Sequence, residues 1–451
     1  MPGNMRMHAL VRSQWFKSAT VFLLCMAVFF LGFYRNHWNV VREKKFRGFQ
    51  LDSESLVIAR MVESRQHSLF SQSGLLGWGD VNPLDLNQSD YDHQYEVFLS
   101  GGAFDSYSQY KSASGAQGLI FGVLQQISPF TPATDLRIFR ALVALLLAAV
   151  ISGYILWTFQ EFGPATALVV AASTLVSQWL TLFGRNLFYF IWASFLPLVL
   201  MAWYLARATR RKKVTGIGLA ALAFAGIFFK CLVNGYDFII PALSMPIIPL
   251  IYFAARDRWS GAAIARRAAF VALGLGTAVA LSILILALQL GASEGGLIGG
   301  LSSIFRTFGR RTYANPALFP DYAESLEADP WAVLWTYIAD DAAIGLLGIR
   351  FGHLVAVLAA VTGIYFVLLK HRPGWIANAD KSRALIIATW VSILSPISWF
   401  LLFKGQAYVH THTNYLAWHM PFTLFGYAML AWILQNISLA LIRNNKTVSP
   451  R

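Results

Sequence analysis

Apolar residues along this chain fall into blocks separated by short polar stretches. Blocks lie near 18–34, 138–158, 164–183, 187–206, 214–230, 238–255, 268–290, 351–370, 384–403 and 416–436. A helix rises about 1.5 Å per residue, so each block is long enough to cross roughly 30 Å of hydrocarbon. The pattern predicts an all-α polytopic membrane protein with about ten transmembrane helices. One further apolar segment, Gly115–Phe130, is short and interrupted by Gln117, Gln125 and Gln126. It reads as an interfacial or re-entrant helix, since counting it as a span would turn every later loop to the other side.

Charge settles the expected orientation. Only 13% of residues are charged against 57% hydrophobic, and the charges gather in the loops. "RATRRKK" (207–213), the cations around "RDRW" (256–259), "KHRPGW…KSR" and the tail "RNNK" all fall on one side when the N-terminus is inside and ten spans follow. Cytoplasmic loops are enriched in Lys and Arg, so this side is expected to be cytoplasmic, with both termini there. The net charge of +14 thus points to anionic lipid headgroups and not to nucleic acid. Arg6, Arg12 and Lys17 precede the run Ala19–Tyr34, which carries no small-residue cleavage site and reads as a retained first span. Cys25 and Cys231, both in or beside apolar runs, read as isolated buried thiols. The expected organisation is 1–34, N-terminus and first span; 35–137, a long outer loop with interfacial helices; 138–290, a bundle; 291–350, another outer loop; and 351–451, the last spans and tail.

Almost all polar chemistry then lies on the outer face. In "FQLDSESLVIARMVESRQ" Asp52 is a plausible N-cap, and the helix after it places Leu56, Val57, Met61 and Val62 on a common side. Glu54 would point about 200° away from Asp52 if both lay in one helix. The acidic pair before a helix, just after the first span, resembles the opening of the first outer loop in GT-C superfamily membrane glycosyltransferases. The layout along most of the chain is similar as well. The resemblance implies an inverting sugar transfer, on the periplasmic face of a bacterial inner membrane, from a polyprenyl-phosphate-linked sugar. A glycan, lipid or protein would be the acceptor. Asp52, or alternatively Glu54, would take or orient the acceptor's proton. GT-C enzymes often carry a second acid in a later short outer loop, where this chain has Arg185-Asn186, so dependence on a divalent cation such as Mg or Mn stays open.

A departing phosphate needs cations. Arg185 sits between apolar residues in "LFGRNLFYF", and Arg306, Arg310 and Arg311 alternate with aromatics in "IFRTFGRRTYANP". Lys404, His410, His412 and Asn414 open the stretch before the last span. Arg185, Arg310, Arg311 and Lys404 are the candidate phosphate contacts. His410, His412 and Asn414 are candidate pocket groups; no third ligand accompanies the histidine pair, so no metal site is expected there. Lys230 and Asp237 read as a structural ion pair. Two competing readings follow: a polymerase or ligase of lipid-diphosphate-linked glycans, in which the Arg and His groups matter and Asp52 does not, and a transporter or flippase for a lipid-linked sugar.

Overall fold

The computed structural model describes residues 2–81, 86–376 and 378–448. Arg6, Arg12 and the cations of the tail "RNNK" lie outside the described side chains. Among the described residues nine helices are long and apolar enough to cross a membrane, and the little sheet present is two short two-stranded ladders. The chain is an all-α integral membrane protein.

Helix α1 (Pro2–Arg35) is followed by the short basic α2 (Glu43–Gly48) and by α3 (Leu51–Gln66). Two more helices, α4 (Gln88–Ser100) and α5 (Ala116–Ile127), complete the first loop region. The bundle continues through α6 (Pro132–Phe162), α7 (Pro164–Leu175), α8 (Gln178–Phe183), α9 (Ile191–Arg210), α10 (Gly216–Asn234), α11 (Ile239–Ser244), α12 (Ile247–Arg256) and α13 (Gly261–Gly291). Next come α14 (Leu297–Arg311), α15 (Ala323–Glu327), α16 (Pro330–Ala339) and α17 (Phe351–His371). The chain ends with α18 (Ala379–Ser392), α19 (Leu394–Leu402), α20 (Lys404–Val409), α21 (Thr411–Asn414) and α22 (Phe422–Val448).

The two ends of the bundle are chemically distinct. At one end Glu161, near the C-terminus of α6, accepts from Tyr252 Oη at 2.7 Å and Arg256 Nη1 at 2.9 Å. Lys381 donates to the Glu161 carbonyl at 2.6 Å, and Arg258 pairs with Asp380 at 2.5 Å. Arg256 Nη2 also donates to Thr209 Oγ1 at 3.4 Å, so the ends of α9 and α12 and the start of α18 meet at one end. At the other end Glu54 of α3 is fully buried. It pairs with Arg140 of α6, accepts from Tyr95 Oη at 3.0 Å, and takes the Leu187 amide at 3.2 Å. About 31 Å along α6 separates Arg140 from Glu161, close to the thickness of a hydrocarbon core.

Three sequence expectations change. The span expected at 164–183 is a broken pair, α7 and α8, too short to be among the nine long apolar helices, but it still runs from the Glu161 end of the bundle to the Glu54 end. Its break is at Ser177, whose hydroxyl caps α8 at the Leu180 amide (3.3 Å) and pairs with His419 Nε2 at 3.0 Å. Asp52 is not an N-cap: Gln50 holds that place, and Asp52 lies in the first turn of α3. Nor is α3 amphipathic in use, for every residue from Ser53 to Ser64 is buried. The segment 115–130 forms the short α5, packed on α3 with Ile120, Val123 and Ile127 facing outward.

Glu54→Ala would leave the Arg140 guanidinium buried without its carboxylate, and breaking a buried pair from one side costs about 3–5 kcal/mol. Denaturant unfolding of the detergent-solubilised protein is expected to show that loss. The double variant Glu54→Leu, Arg140→Met is expected to recover most of it.

Candidate functional site

Asp52 opens into a cavity of about 970 Å³ at the Glu54 end of the bundle. Its walls come from α3, the loop between α8 and α9, the turn holding Asp237, helix α14 with the segment after it, and α20. That volume suits a ligand the size of a sugar nucleotide or larger.

The rotation of α3 sorts its two acids. Glu54 turns into the protein, whereas the Asp52 side chain is half exposed and lies 3.6 Å from His412 Nε2. Tyr91 and Tyr189 border it. Burial, with the Asp52 charge adding, pushes the Tyr91 phenol up to about 12, and burial beside Asp52 and Asp237 holds Tyr189 well above the usual phenol range. Both phenols are therefore neutral donors at neutral pH.

The opposite wall is α14, and its shape follows from its sequence. Gly300 lies so close to α13 that an added Cβ would meet the Ala287 carbonyl oxygen at 2.0 Å, so the helix packs closely against its predecessor. Gly299, Ser302, Arg306 and Arg310 face the cavity, while Ile298, Phe305 and Phe308 on the other side are exposed. A helix polar on one side and apolar on the other has the character of one that lies at a membrane interface. Arg311, at the end of α14, is buried and donates to Asp237 Oδ1 at 2.9 Å and to Tyr110 Oη at 3.3 Å. Lys111 is engaged by Glu294 at 2.5 Å. Arg310 donates to Tyr322 Oη at 3.2 Å and stacks on its ring at 4.6 Å, and Arg306 lies 5.8 Å from the Phe319 ring centre. Among the described residues neither Arg306 nor Arg310 has a carboxylate within 4.0 Å. Two guanidinium groups one turn apart on one helix, free of acids, are suited to a phosphate.

The remaining sequence candidates divide. His410 lines the cavity, and its ring centre is 5.7 Å from that of His412. Burial, with His412 and Arg311 adding, pushes His410 down to about 4. Lys404 does not face the cavity: its buried ammonium donates to the carbonyls of Leu326 (2.6 Å) and Ala328 (2.7 Å), closing the C-terminus of α15. Asn414 is also internal, accepting from Trp399 Nε1 at 2.8 Å and donating to the His410 carbonyl at 2.9 Å. Arg185 lies outside the lining, over the Phe46 ring at 4.1 Å. Lys230 reaches the Gly235 and Asp237 carbonyls at 2.8 and 2.5 Å, so the carboxylate of Asp237 belongs to Arg311 and the expected Lys230–Asp237 ion pair is not formed.

Tyr91, Tyr110, Lys111 and Tyr189 join the site without having been singled out in the sequence, where tyrosines in polar loops carry no pattern. Among the described residues no three His, Cys, Asp or Glu side chains gather as a metal cage. Of the four carboxylates that line the cavity, Asp237 and Glu294 are engaged by Arg311 and Lys111, whereas Asp52 and Asp321 pair with no Lys or Arg among the described residues. No family model, curated protein or solved structure matches the chain.

Because His410 is held below the ordinary histidine value of about 6.5, the unfolded chain binds its proton first as pH falls. Its neutral form then contributes stability that is complete above about pH 6.5 and is lost as pH falls toward about 4. Thermal unfolding followed between pH 7 and 4 is expected to show a shallower decline for His410→Gln than for the unaltered protein.

Proposed function

We propose that this chain is a GT-C-type membrane glycosyltransferase using a polyprenyl-phosphate-linked sugar on the face opposite its basic loops. By the positive-inside pattern that face is the periplasmic or equivalent outer one. The observation that carries the reading is that Asp52 shares one cavity with two arginines that have no salt bridge among the described residues, on a helix whose other side is apolar and outward-facing.

In this reading the donor's lipid chain stays in the bilayer and its phosphate meets Arg306 and Arg310. The acceptor hydroxyl attacks the anomeric carbon from the Asp52 side, and Asp52 takes the proton as the new C–O bond forms. The bond to the phosphate oxygen breaks on the opposite side, its electron pair leaving with the phosphate. That gathering charge is what the arginines stabilise. Attack and departure on opposite faces make the transfer inverting. His412 steadies the Asp52 carboxylate, and Tyr91 and Tyr189 offer neutral hydrogen-bond donors to sugar hydroxyls.

The polymerase or ligase reading also draws on an observation, since His410 lies in the same cavity as Arg306 and Arg310. Asp52 separates the two. Membranes or purified protein would be given radiolabelled polyprenyl-phosphate sugar. Asp52→Asn is expected to lower donor consumption by about 10²-fold or more at unchanged expression. Arg306→Gln with Arg310→Gln is expected chiefly to raise KM for the donor. Full activity of Asp52→Asn beside inactive arginine and His410 variants would transfer the assignment to the polymerase or ligase class. A chelator added to the same assay reads out metal dependence.

A further inference from the structure

A second concentration of positive charge lies on the elbow between α1 and α3, and the cavity makes no use of it. Arg35, Arg42, Lys44, Lys45 and Arg47 are all exposed there, and the one acid between residues 35 and 47, Glu43, is engaged by Arg47 at 2.6 Å. Arg185 adds a sixth cation. It rests on the Phe46 ring of α2 and donates to the Tyr34 carbonyl at 3.2 Å, while its Nε is buried with no partner. Among the described residues it has no carboxylate within 4.0 Å. Burial pushes this guanidinium down to about 10.

The position of this cluster makes it anomalous. It follows directly on the span Phe16–Arg35, at the end of the bundle that carries the cavity and away from the other basic loops. Cations at that end run against the charge bias that orients membrane proteins, and a half-buried one without a counter-charge is costly. One exposed aromatic group marks the same level, Trp38 beside the His37 ring, and Lys45 lies 5.0 Å from the ring centre of the buried Trp179. A wall separates the cluster from the cavity, since Phe49, just after α2, packs on Phe183 and Tyr189.

We propose that α2 and Arg185 form a second anion site, which holds the headgroup phosphate of an anionic lipid in the leaflet on the cavity side. The cluster directly adjoins a span end, with the exposed Trp38 beside it, which places it at headgroup depth, where a lipid phosphate is the abundant anion. The site stands whether or not the cavity transfers sugar.

The test uses the full-length protein in phosphatidylcholine nanodiscs doped with spin-labelled phosphatidylglycerol, read by quenching of tryptophan fluorescence. The unaltered protein is expected to enrich the labelled lipid, less so as salt is raised. The triple variant Lys44→Gln, Lys45→Gln, Arg47→Gln is expected to weaken this by about tenfold or more. These three side chains are exposed, so a melting curve should be unchanged. Arg306→Gln with Arg310→Gln should leave the enrichment intact. Inorganic phosphate at millimolar concentration should fail to displace the lipid, whereas unlabelled phosphatidylglycerol should succeed. Enrichment by the triple variant equal to that of the unaltered protein overturns the proposal, as does displacement by inorganic phosphate as effective as by the lipid.

Discussion

The buried carboxylate of Glu54 is the constraint on which the site depends. A charge with no exposure to water is tolerable only where donors surround it, and here a guanidinium, a phenol and a backbone amide do so. Those donors come from α6, α4 and the loop between α8 and α9, so one side chain ties α3 to three separate parts of the chain. With α3 held in rotation, the residue two places earlier has no freedom of direction. Asp52 faces the cavity because Glu54 faces inward. A reacting group placed this way on a buried helix is held more firmly than one on a loop.

The arginines show the same economy of placement. Arg311 closes the end of α14 onto Asp237 and Tyr110, a structural task. That closure leaves Arg310, the residue just before it, and Arg306, about one turn further back, facing the space opposite Asp52. The acid and the two free cations are thus set by two buried ion pairs, Glu54–Arg140 and Asp237–Arg311, neither of which needs to touch a substrate.

The spans were legible because lipid demands long apolar blocks, and every block is mainly helical, although those at 238–255 and 384–403 are each interrupted between two helices. The break within 164–183 could not be read locally, since Ser177 at that break pairs with His419, far along the chain. The meeting of Asp52 with the stretch around His410 followed from counting sides across a bilayer, which is why it could be anticipated without any contact map. What a one-dimensional reading could not supply is the local partner of each cation. Lys404 and Arg185 look alike in sequence, each a charge among apolar neighbours, yet two backbone carbonyls satisfy the first and the second has one carbonyl and a ring. The choice between Asp52 and Glu54 was open in the sequence for the same reason: helical geometry separates them but does not say which one turns inward.

Helix α14 has a consequence for the protein's surroundings. One wall of the cavity is a strip of polypeptide whose rear side exposes Ile298, Phe305 and Phe308, with Phe403 packed against the last of them. Its depth is therefore set jointly by its seat on α13 and by the height at which the lipid surface meets those side chains. Thinning or stiffening the bilayer would press on that wall directly, so lipid composition enters the dimensions of the chamber as a mechanical variable, with no ligand required to transmit it.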